Sequence, residues 1–183
     1  QHLSVESLSH AIDEQVSRMS AIVEHQLRRA SAQVTQADRA NAVKMKPLVE
    51  RLARAMQKVY QAKNTRLQLD IDEHLVFHGD EADLMELLGN IIDNACKYGR
   101  HSVAISAHQH GADLAITIED DGPGVEADVQ QTILTRGTRA DTTTPGQGIG
   151  LAIAVDILSS YGGSIDIFRS KLGGAGFTIR IPN

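Results

Sequence analysis

The apolar residues of this chain change their spacing along its length, and that change limits the folds open to it. Ile12, Val16, Met19, Val23, Leu27, Ala30 and Val34 recur at steps of three or four, with polar residues between them and no Gly or Pro before Pro47. The spacing predicts one long amphipathic helix. It has no partner helix of similar length in the sequence, so its apolar face is expected in a bundle with a second copy or a segment outside this chain; a core helix of the same domain is the alternative. From about Asn41 the pattern changes. Ala42-Val43-Lys44-Met45 reads as a short strand, Pro47 suits a first helical turn, and Leu48, Leu52, Ala55, Met56 and Val59 mark the helix that follows. Leu67, Leu69 and Ile71 alternate as a strand, and Leu75-Val76-Phe77 is a short apolar run. Asp80 caps a further helix that buries Leu84, Leu87, Leu88, Ile91, Ile92 and Ala95 and ends near Gly99.

The period then shortens to two. Val103, Ile105 and Ala107 alternate with polar residues, as do Leu114, Ile116 and Ile118, and Gly111 between them predicts a hairpin turn. After Gly124 comes a polar stretch without period, then a helix from Ile149 to Leu158, then strands Ser164 to Phe168 and Phe177 to Ile181 turning at Gly173-Gly174. Helices and mostly hairpin-linked strands predict an α+β sandwich, a mixed sheet with helices on one face. The expected division is residues 1–40 for the long helix and 41–183 for this second domain.

A length of 183 residues suits one well-buried domain with an appendage. The net charge of −5 argues against a general nucleic-acid binder, so an anionic ligand has to be held locally. The single cysteine, Cys96, cannot form an internal disulfide and sits in an apolar helix pattern as a small core residue. No run of about 18 apolar residues and no signal-peptide pattern occurs. A chain beginning at Gln1 reads as a piece of a longer protein, which leaves membrane attachment open.

Three segments carry chemistry. In Asn90-Ile91-Ile92-Asp93-Asn94-Ala95-Cys96-Lys97-Tyr98, helical spacing turns Ile91, Ile92 and Ala95 inward and sets Asn90, Asn94, Lys97 and Tyr98 on one outer face. Amide oxygens suit Mg²⁺, an ammonium suits phosphate, and an aromatic plane suits a purine. Glu119-Asp120-Asp121-Gly122-Pro123-Gly124 ends a strand in carboxylates and a glycine turn. A carboxylate there can accept a bond from the exocyclic amine of a base, without settling which base. Gly146-Gln147-Gly148-Ile149-Gly150-Leu151 opens a helix, where backbone N–H groups form an anion site. Its spacing fits neither the dinucleotide fingerprint nor the Walker loop. Arg136 and Arg139 precede it within reach of phosphates.

In order and spacing these segments resemble the N, G1 and G2 boxes of the GHKL (Bergerat-fold) ATP-binding superfamily, and in particular its sensor histidine kinases of the PhoQ-type branch. The resemblance covers about Val43 to Ile181, and residues 4–38 resemble the second helix of the dimerisation and histidine-phosphotransfer bundle. It implies a Bergerat α/β sandwich binding Mg-ATP, with Asn94 and Asn90 at the Mg²⁺. Lys97 would contact the phosphates, Tyr98 would face adenine, Asp120 would accept the adenine amine, and Gly122 and Gly124 would give the base room. Arg136, Arg139, Gln147, Gly148, Ile149, Gly150 and Leu151 would belong to the lid, at about 134–147, and the phosphate site. Catalysis would rest on Asn90, Lys97 and Arg139. Chaperone and topoisomerase members hold a water-activating glutamate where Asn90 stands, and an amide cannot act as a general base.

The resemblance further implies a homodimer through the bundle helix, a response regulator as partner, and the cytoplasmic portion of a bacterial inner-membrane sensor. Three departures stand out. His2, His10 and His25 lack the family's context for a phospho-accepting histidine, so they read as surface or bundle residues and the acceptor is expected outside this chain. The chain alone is then not expected to phosphorylate itself. Leu134 stands where the family places phenylalanine, and Thr144 where the branch places a basic residue. The rival readings are an ATPase switch or serine kinase of the same superfamily, disfavoured by Asn90 and by the long bundle-like helix, and a non-catalytic dimerising adaptor, disfavoured by Asn94, Lys97 and Asp120.

Overall fold

The structure, a computed structural model, describes residues 41–125 and 149–183. These fall in the second of two units into which the chain divides, Gln1–Thr35 and Gln36–Asn183. The long helix expected over residues 12–34 and the lid expected at about 134–147 lie outside the described residues.

Strand β1 (Ala42–Lys44) leads directly into helix α1 (Met45–Val59), and a 3-10 turn (Gln61–Lys63) leads to β2 (Arg66–Ile71). There follow β3 (Val76–His78), α2 (Glu81–Tyr98), β4 (Ser102–His110), β5 (Asp113–Asp120), α3 (Ile149–Ser160), β6 (Ser164–Arg169) and β7 (Ala175–Pro182). Five strands form one mixed sheet in the order β2-β4-β5-β7-β6, and β1 with β3 forms a separate ribbon. The pairing of β2 with β4 is parallel and the other three are antiparallel. This is the α+β arrangement the spacing predicts.

Alternation builds the core. Val103, Ile105, Ala107, Leu114, Ile116, Ile118, Ile179 and Ile181 are buried on one face of the sheet. Direct register pairs such as Ile105 with Ile118 and Ile116 with Ile179 keep these side chains on that face. Helix α2 packs on β4 and β5, α3 on α2 and β6, and α1 on α2 and β2. The apolar stripe of α2 from Leu84 to Ala95 is buried as expected, and Cys96 is a buried free thiol.

Helix α1 differs from expectation. Its buried residues are Met45, Leu48, Val49, Leu52 and Ala53, whereas Val59 is 70% exposed and Ala55 is exposed. The stripe that apolar character alone predicts follows a neighbouring line of the helix; the line that packs repeats at i, i+3, i+4, i+7 and i+8 from Met45. Leu69 also remains 38% exposed, because β2 is an edge strand covered only partly by α1.

The ends of α2 are firmly set. Asp80 Oδ1 accepts from the backbone N–H groups of Ala82 at 2.7 Å and Asp83 at 3.1 Å, a side-chain N-cap, and Glu81 and Asp83 favour the helix dipole. The buried Tyr161 hydroxyl donates to Asp83 Oδ2 at 2.8 Å and accepts from Asp80 N–H at 3.1 Å, which ties the chain after α3 to the start of α2.

Candidate functional site

Strand β5 is the middle strand of the sheet, and its inward series Leu114, Ile116, Ile118 continues one step further to Asp120. A carboxylate therefore occupies a core position under α2, and it is only 3% exposed. Its Oδ1 accepts from Gly122 N–H at 2.8 Å and from Ala175 N–H at 3.1 Å. Among the described residues nothing donates to Oδ2, and no Lys or Arg lies at ion-pair distance. Burial pushes this carboxyl above its ordinary pKa, the Gly122 and Ala175 donors pull it back, the Asp121 charge adds to the rise, and the Lys63 ammonium opposes it. Oδ2 is not among the fully buried unpartnered atoms, so it opens toward the surface, where it is suited to accept a ligand's hydrogen bond.

The neighbouring carboxylates do different work. Asp121 Oδ1 accepts from the backbone N–H groups of Arg100 at 2.6 Å and His101 at 3.0 Å, which pins the link from α2 to β4. Partial desolvation would raise its pKa, but the backbone donors of His101, Ser102 and Arg100 outweigh that and hold it below the ordinary value. Glu119 Oε1 accepts from Ser170 Oγ at 3.0 Å and Lys171 N–H at 3.1 Å, fixing the β6–β7 turn beside the Asp120 turn.

The glycines serve the closeness of these turns. Gly124 has φ +85°, which favours glycine, and a Cβ there would also meet the Arg169 guanidinium, whose NH1 donates to Pro123 O at 2.7 Å. A Cβ on Gly122 would lie 2.5 Å from Tyr98 O. Each of these glycines thus has a reason within the protein itself, beside the room expected for a base. Gly174 has the least room: a Cβ would lie 2.1 Å from Asp120 Oδ1 and 2.4 Å from Gly122 N. Gly174→Ala is expected to lower stability by about 2 kcal/mol, an overpacking cost with no flexible neighbour to absorb it. Chemical denaturation measures this, and wild-type stability would show that the two turns are not in contact.

Helix α2 carries the second group. Asn90 and Asn94 are half-buried on a face flanking the core stripe, with Lys97 and Tyr98 exposed beyond them. Lys97 Nζ stands 5.6 Å from the Tyr98 ring centroid, and the ring is 47% exposed. Asn90 Nδ2 donates to Glu86 O at 2.8 Å, so its Oδ1 is the acceptor facing outward from that bond. This oxygen meets the start of α3: a Cβ on Gly150 would lie 2.7 Å from it. The structure therefore brings Asn90 to the helix start at Gly150, and Tyr98 to the turn at Asp120 and Gly122. The two ends of the site are joined by the last turns of α2.

Residues 79–183 match the family described as histidine kinase-, DNA gyrase B-, and HSP90-like ATPases, more than half of the chain. The chain belongs to that ATPase family. Over 173 residues it is 41% identical to the sensor protein PhoQ of Escherichia coli (strain K12), a match covering 94% of this chain and 36% of that protein. The chain thus spans about a third of the length of the curated relatives it matches. The ATP-binding domain of PrrB from Mycobacterium tuberculosis superposes with a TM-score of 0.65 at 27% identity, over 78% of this chain and 96% of that one. The Acinetobacter baumannii histidine kinase AdeS shares the fold, with a TM-score of 0.72 at 22% identity over 99% of this chain and 86% of that one.

Within this family's fold, Asn90, Asn94, Lys97, Tyr98, Asp120, Gly122, Gly124, Gly150 and Leu151 are described and lie along α2, the Asp120 turn and the start of α3. Leu151 is 6% exposed in the core, so only its backbone can face a ligand. Ile149 begins α3. Arg136, Arg139, Gln147 and Gly148, with Leu134 and Thr144, lie outside the described residues. Sequence reasoning missed Gly174 and Ala175, which complete the Asp120 pocket from a distant hairpin; the Gly173-Gly174 pair was visible only as a turn.

Proposed function

We propose that this chain is the ATP-binding catalytic part of a two-component sensor histidine kinase. The observation that carries the reading is the buried Asp120, whose Oδ1 is held by the Gly122 and Ala175 N–H groups while Oδ2 is left to accept the exocyclic amine of adenine. Tyr98 lies beside the base, Lys97 and Arg139 contact the phosphates, and Arg136, Gln147 and Gly148 contribute from the lid. The backbone of Ile149, Gly150 and Leu151 at the start of α3 adds N–H donors at the phosphate end.

The residues fit Mg²⁺. Asn90 and Asn94 lie one helical turn apart on α2, half-buried, and their amide oxygens are hard donors of the kind Mg²⁺ accepts beside substrate phosphates and water. Asn94 and Asn90 would supply those oxygens. When bound, the ion neutralises charge on the phosphates.

The chain's own contribution is positioning. Asn90 offers no general base, which favours holding ATP for transfer over hydrolysing it. The γ-phosphoryl breaks from the β-phosphate bridging oxygen, leaving ADP, and bonds to a histidine nitrogen on a bundle helix outside this chain; a response-regulator aspartate then takes it. Residues 1–40 are read as the C-terminal helix of that bundle, through which the full protein forms a homodimer, and residues 41–183 as the catalytic domain. Placement on the cytoplasmic side of an inner-membrane sensor belongs to the same reading; among the described residues no helix is long and apolar enough to cross a membrane.

Adding a histidine-bearing bundle helix in trans with labelled ATP tests the kinase reading. Acid-labile phosphate on that histidine is expected. Steady hydrolysis by the chain alone, or acid-stable phosphoserine, would favour the ATPase-switch and serine-kinase alternatives instead.

A further inference from the structure

Helix α2 ends where the site needs it to be rigid, and a helix C-terminus leaves its last four carbonyls without intrahelical partners. Here Ala95 O accepts from Gly99 N–H at 2.8 Å. The next two carbonyls are taken by one side chain from far back in the sequence: Lys63 Nζ donates to Cys96 O at 2.8 Å and to Lys97 O at 2.7 Å. A cation at this end also complements the helix dipole. One turn earlier, Tyr60 Oη donates to Asp93 Oδ1 at 2.8 Å.

The segment that supplies both groups is itself anchored. Tyr60 N–H donates to Met56 O at 2.9 Å at the end of α1, and Lys63 N–H donates to Tyr60 O at 3.0 Å within the 3-10 turn. Asn64 stops that turn in the left-handed region with φ 53°, and Arg66 N–H then donates to His101 O at 2.7 Å as β2 begins. Tyr60 to Arg66 therefore forms a strap between α1 and the sheet, closed over the C-terminal half of α2.

We propose that Lys63 is a positioning residue of the nucleotide site, holding the last turn of α2, which carries Lys97 and brings Tyr98 to the Asp120 turn. The inference rests on the nucleotide reading given above. Without the ammonium, the Cys96 and Lys97 carbonyls seek water and the turn carrying Lys97 and Tyr98 frays, while the core stripe of α2 stays packed. The same charge favours the ionised form of Asp120, which helps the pocket as a whole.

The test is titration of Mg-ATP by calorimetry into the wild-type chain, Lys63→Met, Lys63→Arg and, as a control on the exposed end of α1, Lys58→Met, each with a thermal melt. Lys63→Met is expected to weaken Mg-ATP about tenfold, equivalent to about 1.4 kcal/mol, at temperatures where the melt shows it fully folded. Lys63→Arg is expected to recover most of that loss, because a guanidinium can also donate to both carbonyls, and Lys58→Met should bind like wild type. A folded Lys63→Met with wild-type affinity overturns the proposal, as does a loss of equal size in Lys58→Met. If Lys63→Met does not fold, Lys63→Ala, which removes donor and charge alike without adding an apolar side chain, decides by the same criterion. Wild-type chain that binds no Mg-ATP defeats the underlying nucleotide reading instead, and is recognised because the variants then have nothing to lose.

Discussion

Asp120→Asn is expected to weaken Mg-ATP binding by about 100-fold or more, since truncating one partner of a buried charged hydrogen bond costs about 2–5 kcal/mol. The fold should survive, because an amide oxygen in the place of Oδ1 still accepts from Gly122 and Ala175. That orientation turns the amide NH₂ toward the ligand's own amine, so two donors face each other where a donor met an acceptor. Calorimetry with a thermal melt separates the two effects. Unchanged affinity in a folded variant would remove Asp120 from the site.

Acidification makes the same point without a mutation. The carboxyl of Asp120 sits above its ordinary pKa, chiefly through burial, so it takes up a proton at a higher pH than a free aspartate and the acceptor is lost sooner. Affinity for ATP should fall in that window. Stability moves the other way at this residue: a carboxyl whose folded pKa is raised stabilises the fold below its unfolded pKa and loses that contribution as pH rises through the folded value. Asp121, held below its ordinary pKa, loses its contribution only on further acidification through that lower value. Nucleotide titrations across acidic pH, each beside a denaturation curve, read both trends.

Asn94→Ala is the second large effect, and it should fall on one end of the ligand. The half-buried amide oxygen of Asn94 is proposed to hold the ion, so its loss should abolish detectable Mg-ATP binding, a weakening of about 100-fold for a charge-assisted contact and the phosphate geometry that depends on it. Adenosine, which carries neither phosphate nor ion, should bind the variant as it binds the wild type. Mg-ATP bound with unchanged affinity would sink the metal assignment, and loss of adenosine along with it would show that the substitution disturbs α2.

Much of this fold is legible in the sequence because it rests on local periodicity. The 3.6-residue stripe from Leu84 to Ala95 and the strict alternation of β4 and β5 leave few ways to hide those side chains from water. The face of α1 was harder, because Ala55, Met56 and Val59 are apolar at helical spacing and only the packing against α2 and β2 shows that Met45, Val49 and Ala53 are the buried ones. The site was legible in part for the same reason. Asn90, Asn94, Lys97 and Tyr98 share a helix face by spacing alone, and extending the Leu114, Ile116, Ile118 alternation by one residue places Asp120 inside.

What sequence could not give is the closure of the site by distant segments. Ala175 donates to Asp120 across 55 positions, and Lys63 reaches Cys96 across 33. Neither contact leaves a periodic trace. A glycine pair such as Gly173-Gly174 signals a turn, and only the sheet order β5-β7-β6 shows that this turn lies against the Asp120 carboxylate.

The central claim is that the last turns of α2, the Asp120 turn and the start of α3 form one Mg-ATP site, and a nucleotide titration tests it most directly. Mg-ATP titrated by calorimetry into the wild-type chain, with Asp120→Asn and Asn94→Ala in parallel, is predicted to show saturable one-to-one binding that both substitutions remove. Absence of saturable heat with the folded wild-type chain, or equal binding by all three proteins, would contradict it.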